Sequence, residues 1–153
     1  MKKEKVFKLL LAAYVLVLAW IILLKCSFNI SLNILPYRWS NYIPFQDFIM
    51  SLQHGFEYGD WYSAKSNAMD LIINAIFFVP FGFLAASVTR GKNKLKCIMA
   101  AFFLSAIFEG IQFATKLGIC DITDVITNTA GAALGVIIYA GVKRLRKNHE
   151  QLL

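Results

Sequence analysis

Apolar residues fall into four long blocks, roughly Val6 to Leu24, Ala68 to Thr89, Cys97 to Thr115 and Ile122 to Val142. Each is long enough to cross about 30 Å of hydrocarbon as a helix. Between the first two, Phe45, Phe48, Ile49, Leu52 and Phe56 recur at helical spacings after Pro36 and Pro44. That is the stripe of a short amphipathic helix lying along the outer membrane surface. The pattern predicts an all-α integral membrane protein: a four-span transmembrane helical bundle with an outer interfacial segment, forming one domain over residues 1–153. The first block exceeds the core of a signal peptide and no small-x-small cleavage site follows it, so it is read as a span.

Composition and charge sharpen this picture. The apolar fraction of 58% lies above the about 45–50% usual for soluble domains. The net charge of +7 matters through its placement. Lys2, Lys3, Lys5 and Lys8 precede the first block, Arg90, Lys92, Lys94 and Lys96 join the second to the third, and Lys143, Arg144, Arg146 and Lys147 follow the fourth. Clusters at alternate block ends set topology rather than grip nucleic acid, and by the positive-inside rule both termini are cytoplasmic. Of the acidic residues only Glu4 and Glu150 accompany the basic clusters. Asp47, Glu57, Asp60, Asp70, Glu109, Asp121 and Asp124 lie outside or within the membrane.

The polar positions inside the blocks are the candidate chemistry. If Asp121 to Gly135 is helical, Asp121, Asp124, Asn128, Gly131 and Gly135 share one face, with carboxylates first and bare backbone further along. Gly131 and Gly135 form a Gly-x-x-x-Gly seam for close helix packing, through which an oligomer is possible. In the third block Ser105, Glu109, Gln112 and Lys116 form a matching stripe. A carboxylate at mid-membrane costs about 3 kcal/mol on insertion scales, so Glu109 should face the bundle and hold a partner or a proton. In the second block Asp70 and Asn74 lie one turn apart, while Pro80 and Gly82 sit in mid-span as helix-packing positions, where a proline is expected to kink the helix.

At about 1.5 Å per residue, with the spans alternating in direction, these positions share one depth in the outer leaflet. Asn74, Glu109, Gln112, Asp121, Asp124 and Asn128 are therefore the candidate ligand-binding residues of an outward-facing polar pocket. Glu109, Asp121 and Asp124 are the catalytic candidates should the site perform acid/base chemistry. Blander roles compete: helix capping for Asp121 and Asp124, and interhelical hydrogen bonding for Asn74, Asn128, Glu109 and Gln112.

No cofactor and no metal site is expected. Cys26, Cys97 and Cys120 are too scattered for a zinc site; Cys26 and Cys120 could pair on the outer side, although free thiols are favoured. His54 with Glu57 reads as a surface pair, and neither a nucleophile elbow nor a phosphate loop occurs.

Taken together, Asn41-Tyr42-Ile43-Pro44-Phe45, then Asn74 with Phe78-Val79-Pro80-Phe81-Gly82-Phe83, then Glu109 with Gln112, then Asp121-Ile122-Thr123-Asp124 with Asn128-Thr129-Ala130-Gly131 resemble the VanZ-like family of small bacterial membrane proteins. The resemblance covers about Asn41 to Gly141. One departure is the stretch Leu117-Gly118-Ile119-Cys120, where many members carry an Arg and where Lys116 is the nearest cation here. The resemblance implies a multi-pass protein of the bacterial cytoplasmic membrane that contributes to resistance to teicoplanin-type glycopeptides. The reading that follows is a non-enzymatic protein engaging a lipid-linked envelope precursor or a glycopeptide, with membrane lipids around it. The alternatives are an acid/base or metal-assisted hydrolase or transferase acting on an envelope lipid, and a structural scaffold with no ligand.

Overall fold

The computed structural model describes residues 2–31, 40–115 and 120–151, and side chains of the first helix over residues 4–22. The Lys116 end of the third stripe, the Cys26 thiol and Pro36 lie outside the described residues. Helix dominates because a single segment in hydrocarbon can satisfy its backbone only internally. In chain order the elements are α1 (Lys2–Ser31), β1 (Ser40–Asn41), α2 (Gln46–Tyr58), α3 (Tyr62–Val88), α4 (Lys94–Thr115), β2 (Cys120–Asp121) and α5 (Ile122–Glu150). Four of them, α1, α3, α4 and α5, are long and apolar enough to cross a membrane. The chain is a multi-pass membrane protein built as a helical bundle, with the short α2 outside the four spans.

The helices run past the apolar blocks at several ends. Hydropathy marks only what lies in hydrocarbon, whereas hydrogen bonding continues into water; thus α5 carries the basic run Lys143–Lys147 as helix, and α3 begins at Tyr62, before the apolar block. The core packs Leu18 of α1, Phe78, Phe81, Ala85 and Ala86 of α3, Cys97, Ala101 and Phe108 of α4, and Ala132 and Val136 of α5. Leu9, Leu16, Ile72, Ile76, Phe103, Ile107 and Ile137 point outward, where acyl chains solvate them.

The closest pair is α3 with α5, which run in the same direction. A methyl group added at Gly131 would overlap the Ala75 carbonyl, one at Gly135 the Val79 carbonyl, and one at Gly82 the Ala132 carbonyl. Small residues let the two backbones touch. The glycine seam is thus filled by α3 of the same chain. Pro80 lies on the exposed face of α3, so its part in packing runs through the backbone. It cannot donate to the Ile76 carbonyl, and the next carbonyl along, Phe77 O, accepts from the Tyr14 hydroxyl of α1 at 2.7 Å.

At the basic end, Arg90 and Gly91 take left-handed φ values of 55° and 73° to turn α3 into α4. Glu4 pairs with Lys8 at 2.9 Å and with Arg90 at 3.1 Å, and Lys143 Nζ donates to Arg90 O at 2.6 Å. These are solvent-facing contacts that fix geometry more than they stabilise.

Two features differ from the sequence expectations. Phe45 belongs to no helix: it precedes α2 with φ 58° and ψ 14°, because the chain must turn sharply after Pro44. Asp121 also stands off the helical stripe, at φ −121° and ψ 120°, because it is held in a two-residue parallel pairing of Ser40 with Cys120 and Asn41 with Asp121. Periodicity cannot reveal so short a pairing between segments some 80 residues apart.

Candidate functional site

Opposite the basic clusters, the helices part around a cavity of about 270 Å³. Each wall follows from local sequence. On α3, Asn67, Asp70, Leu71 and Asn74 line it, at steps of three, one and three that keep them on one helical face. Glu109 and Gln112 on α4 do so for the same reason, and Thr123, Asp124 and Asn128 on α5 continue from Asp121. Leu18, Ile21 and Ile22 of α1 with Phe77 and Phe78 of α3 form an apolar side, and Phe45, Asp47 and Phe48 close another. All six candidates, Asn74, Glu109, Gln112, Asp121, Asp124 and Asn128, therefore meet at one cavity.

Glu109 is the buried centre of this layer, 6% exposed. Its Oε2 accepts from the backbone N–H of Asp121 at 2.7 Å. With its amide nitrogen facing the carboxylate, Gln112 donates to Oε2 at 3.0 Å and Oε1 at 3.1 Å. A carboxylate so supplied with donors meets part of its desolvation cost. Glu109 also ties α4 to the start of α5.

Asp121 is both a cap and a clamp. Its Oδ1 accepts from Thr123 N at 2.7 Å, meeting one of the unpaired donors at the start of α5. Its Oδ2 accepts from Asn41 Nδ2 at 3.3 Å, while Phe45 N donates to Thr123 Oγ1 at 3.0 Å. Residues 41–45 are thus strapped onto the α5 terminus. Beneath, Asn128 Nδ2 donates to Ser105 Oγ at 2.8 Å with both residues buried, which forms the floor. Asn74 Nδ2 is shielded from solvent and has no hydrogen-bond partner.

The lining carries five carboxylates, from Asp47, Asp70, Glu109, Asp121 and Asp124, and four carboxamides, from Asn67, Asn74, Gln112 and Asn128. Among the described residues it includes no Lys or Arg. Cys120 beside it feels this charge: burial first, then the carboxylates of Glu109, Asp121 and Asp124, push its thiol above the ordinary cysteine range. Cys97 and Cys120 carry free thiols. Among the described residues no group of three His, Cys, Asp or Glu side chains is arranged to hold a metal ion. His54 stacks near Tyr58, with ring centroids 4.8 Å apart.

Sequence reasoning did not include Asn67, Asp70, Asp47, Thr123 or the strap in the site. Extending the Asn74 stripe back by four and seven positions would have found Asp70 and Asn67. Asp47 had no signal, because its position depends on how α2 returns over the bundle.

Protein VanZ of Enterococcus faecium is 35% identical over 145 residues, covering 94% of this chain and 78% of that protein. No solved structure matches the chain. The family model described as VanZ/LLP1 matches residues 11–144, a range that reaches into all four spans and takes in the strap and the whole lining of the cavity, and this chain belongs to that VanZ/LLP1 family.

Proposed function

We propose that this protein lowers susceptibility to teicoplanin-type glycopeptides by holding an envelope ligand, lipid-linked or the glycopeptide itself, in the acidic cavity, with no chemical step. The observation that carries the reading is the convergence of Asn74, Glu109, Gln112, Asp121, Asp124 and Asn128, from α3, α4, α5 and the strand residue that caps α5, on one cavity. Polar groups in a membrane bundle are costly, and gathering them around the wall of one cavity suits a guest. The acidic side receives amines and hydrogen-bond donors. The apolar side, from Leu18 to Phe78, receives an acyl or aryl portion.

The cavity faces outward and both termini face the cytoplasm. What supports this orientation is charge: twelve of the sixteen Lys and Arg lie at the ends of the spans remote from the cavity, and such residues are retained inside. Expression in a susceptible strain tests the function. The intact chain should raise the teicoplanin concentration needed to stop growth, and Glu109→Gln, inserted at equal level, should remove most of that rise. Unchanged susceptibility with correctly inserted intact protein would overturn the proposal.

A further inference from the structure

Residues 40–58 are attached to the bundle differently from the spans around them. Helix α2 buries only Ser51 and Gly55, so no apolar side chain of it enters the core. Its polar ties include Asn67 Nδ2 of α3, which donates to Asp47 O at 3.1 Å and to Ser51 Oγ at 3.2 Å, and near the turn the Trp61 ring lies over Gly55 and edge-on to Phe56, with centroids 4.8 Å apart. At its far end Gly59, with φ 75°, turns the chain into α3, a conformation open to glycine and a natural pivot. At its near end the hold includes the two-residue pairing with Cys120–Asp121 and the Asn41 to Asp121 and Phe45 to Thr123 hydrogen bonds.

That hold works against local costs. Phe45 is a bulky residue in the left-handed region, at φ 58°, which is strained for any side chain with a Cβ. Asn41, 1% exposed, has a shielded Oδ1 with no hydrogen-bond partner. Both costs are relieved if the segment lifts, since Phe45 is freed to relax and water reaches Asn41. Phe45, Asp47 and Phe48 line the cavity, so lifting would open it. Low burial, polar ties and a glycine pivot are the features of segments that open locally without global unfolding.

We propose that residues 40–58 form a hinged lid, pivoting at Gly59 and latched by Ser40–Asn41 on Cys120–Asp121, and that the cavity exchanges its contents only when the latch opens. The inference rests on the reading of the cavity as the functional site, and it concerns that site's regulation.

The chain supplies half of the test. Ser40 is paired with the native Cys120, and neighbouring strands lie about 4.8 Å apart, within the about 4.4–6.8 Å between Cα atoms that a disulfide requires. In a background of Cys26→Ser and Cys97→Ala, Ser40→Cys should cross-link to Cys120 under mild oxidant. Leu71→Cys then places a reporter thiol in the cavity wall. In nanodiscs, a charged maleimide should label the reporter at least tenfold more slowly when the latch is cross-linked than in the same chain retaining Ser40. Thr123→Val, which removes the acceptor for Phe45 N–H, should speed labelling several-fold.

Equal labelling with and without the cross-link overturns the lid, as does failure of the folded Ser40→Cys variant to cross-link to Cys120. Should the cross-link slow labelling but leave teicoplanin susceptibility unchanged, the lid stands and the functional reading of the cavity falls. Should it leave labelling unchanged while Glu109→Gln still abolishes protection, the cavity reading stands and the lid falls.

Discussion

Helices α3 and α5 behave as two different structures along their length. Toward the basic end they touch backbone to backbone through Gly82, Gly131 and Gly135, with no room for a methyl group. Toward the other end, starting one turn above Gly131, their side chains Asn67, Asp70, Asn74, Asp124 and Asn128 instead border the cavity. One helix pair is welded at one end and kept open at the other. Without a hydrophobic drive between helices in lipid, close contact of small residues is what holds a pair together. The seam therefore holds the two helices at fixed spacing, so that the polar layer above it borders a cavity.

The sharpest way to break this contrast is to put bulk into the weld. Gly131→Val should destabilise the protein by at least about 3 kcal/mol, since the colliding atom is a backbone carbonyl that cannot rotate away. Resistance to denaturant, followed by circular dichroism in detergent, measures the loss. Gly110→Ala and Gly141→Ala are the counterparts: a Cβ there meets nothing within 4 Å, so they should be neutral or stabilise by up to about 1 kcal/mol through helix propensity. If Gly131→Val were tolerated like Gly110→Ala, the weld would not be what holds α3 to α5.

A smaller effect is expected at the boundary between the two regions. Asn128→Ala leaves the buried Ser105 hydroxyl without its donor and should cost about 1–2 kcal/mol. In a cycle with Ser105→Ala the coupling should be about 0.6 kcal/mol, the average for polar pairs in membrane bundles. Coupling indistinguishable from zero would remove this pair as the cavity floor.

The smallest effect is electrostatic. With its thiol pushed up by burial and by the surrounding carboxylates, Cys120 stays protonated at pH values where an ordinary cysteine has begun to ionise. Its alkylation should therefore be slow near pH ~8 and climb at higher pH than for a free cysteine. Asp124→Asn removes one of the responsible charges and should shift the profile down toward ordinary values. A profile unmoved by Asp124→Asn would mean that the cavity's charge does not reach its rim.

Much of this was legible in the chain because it is local. Four apolar blocks, the basic clusters at alternate ends and the stripe on α2 follow from hydropathy and period, which neighbours in sequence determine. The common depth of Asn74, Glu109, Gln112, Asp124 and Asn128 follows from counting residues along straight helices. Tertiary structure decided what needed distant partners. It chose α3 as the surface against which Gly131 and Gly135 pack. It took Asp121 out of the helical stripe to cap α5 and hold Asn41, 80 residues away. It also returned α2 over the bundle, so that Asp47 and Phe48 joined a site whose other walls lie on the spans. Periodicity tells which face of a helix is special, but not what will lie opposite, because that depends on which close approaches the whole bundle can make at once.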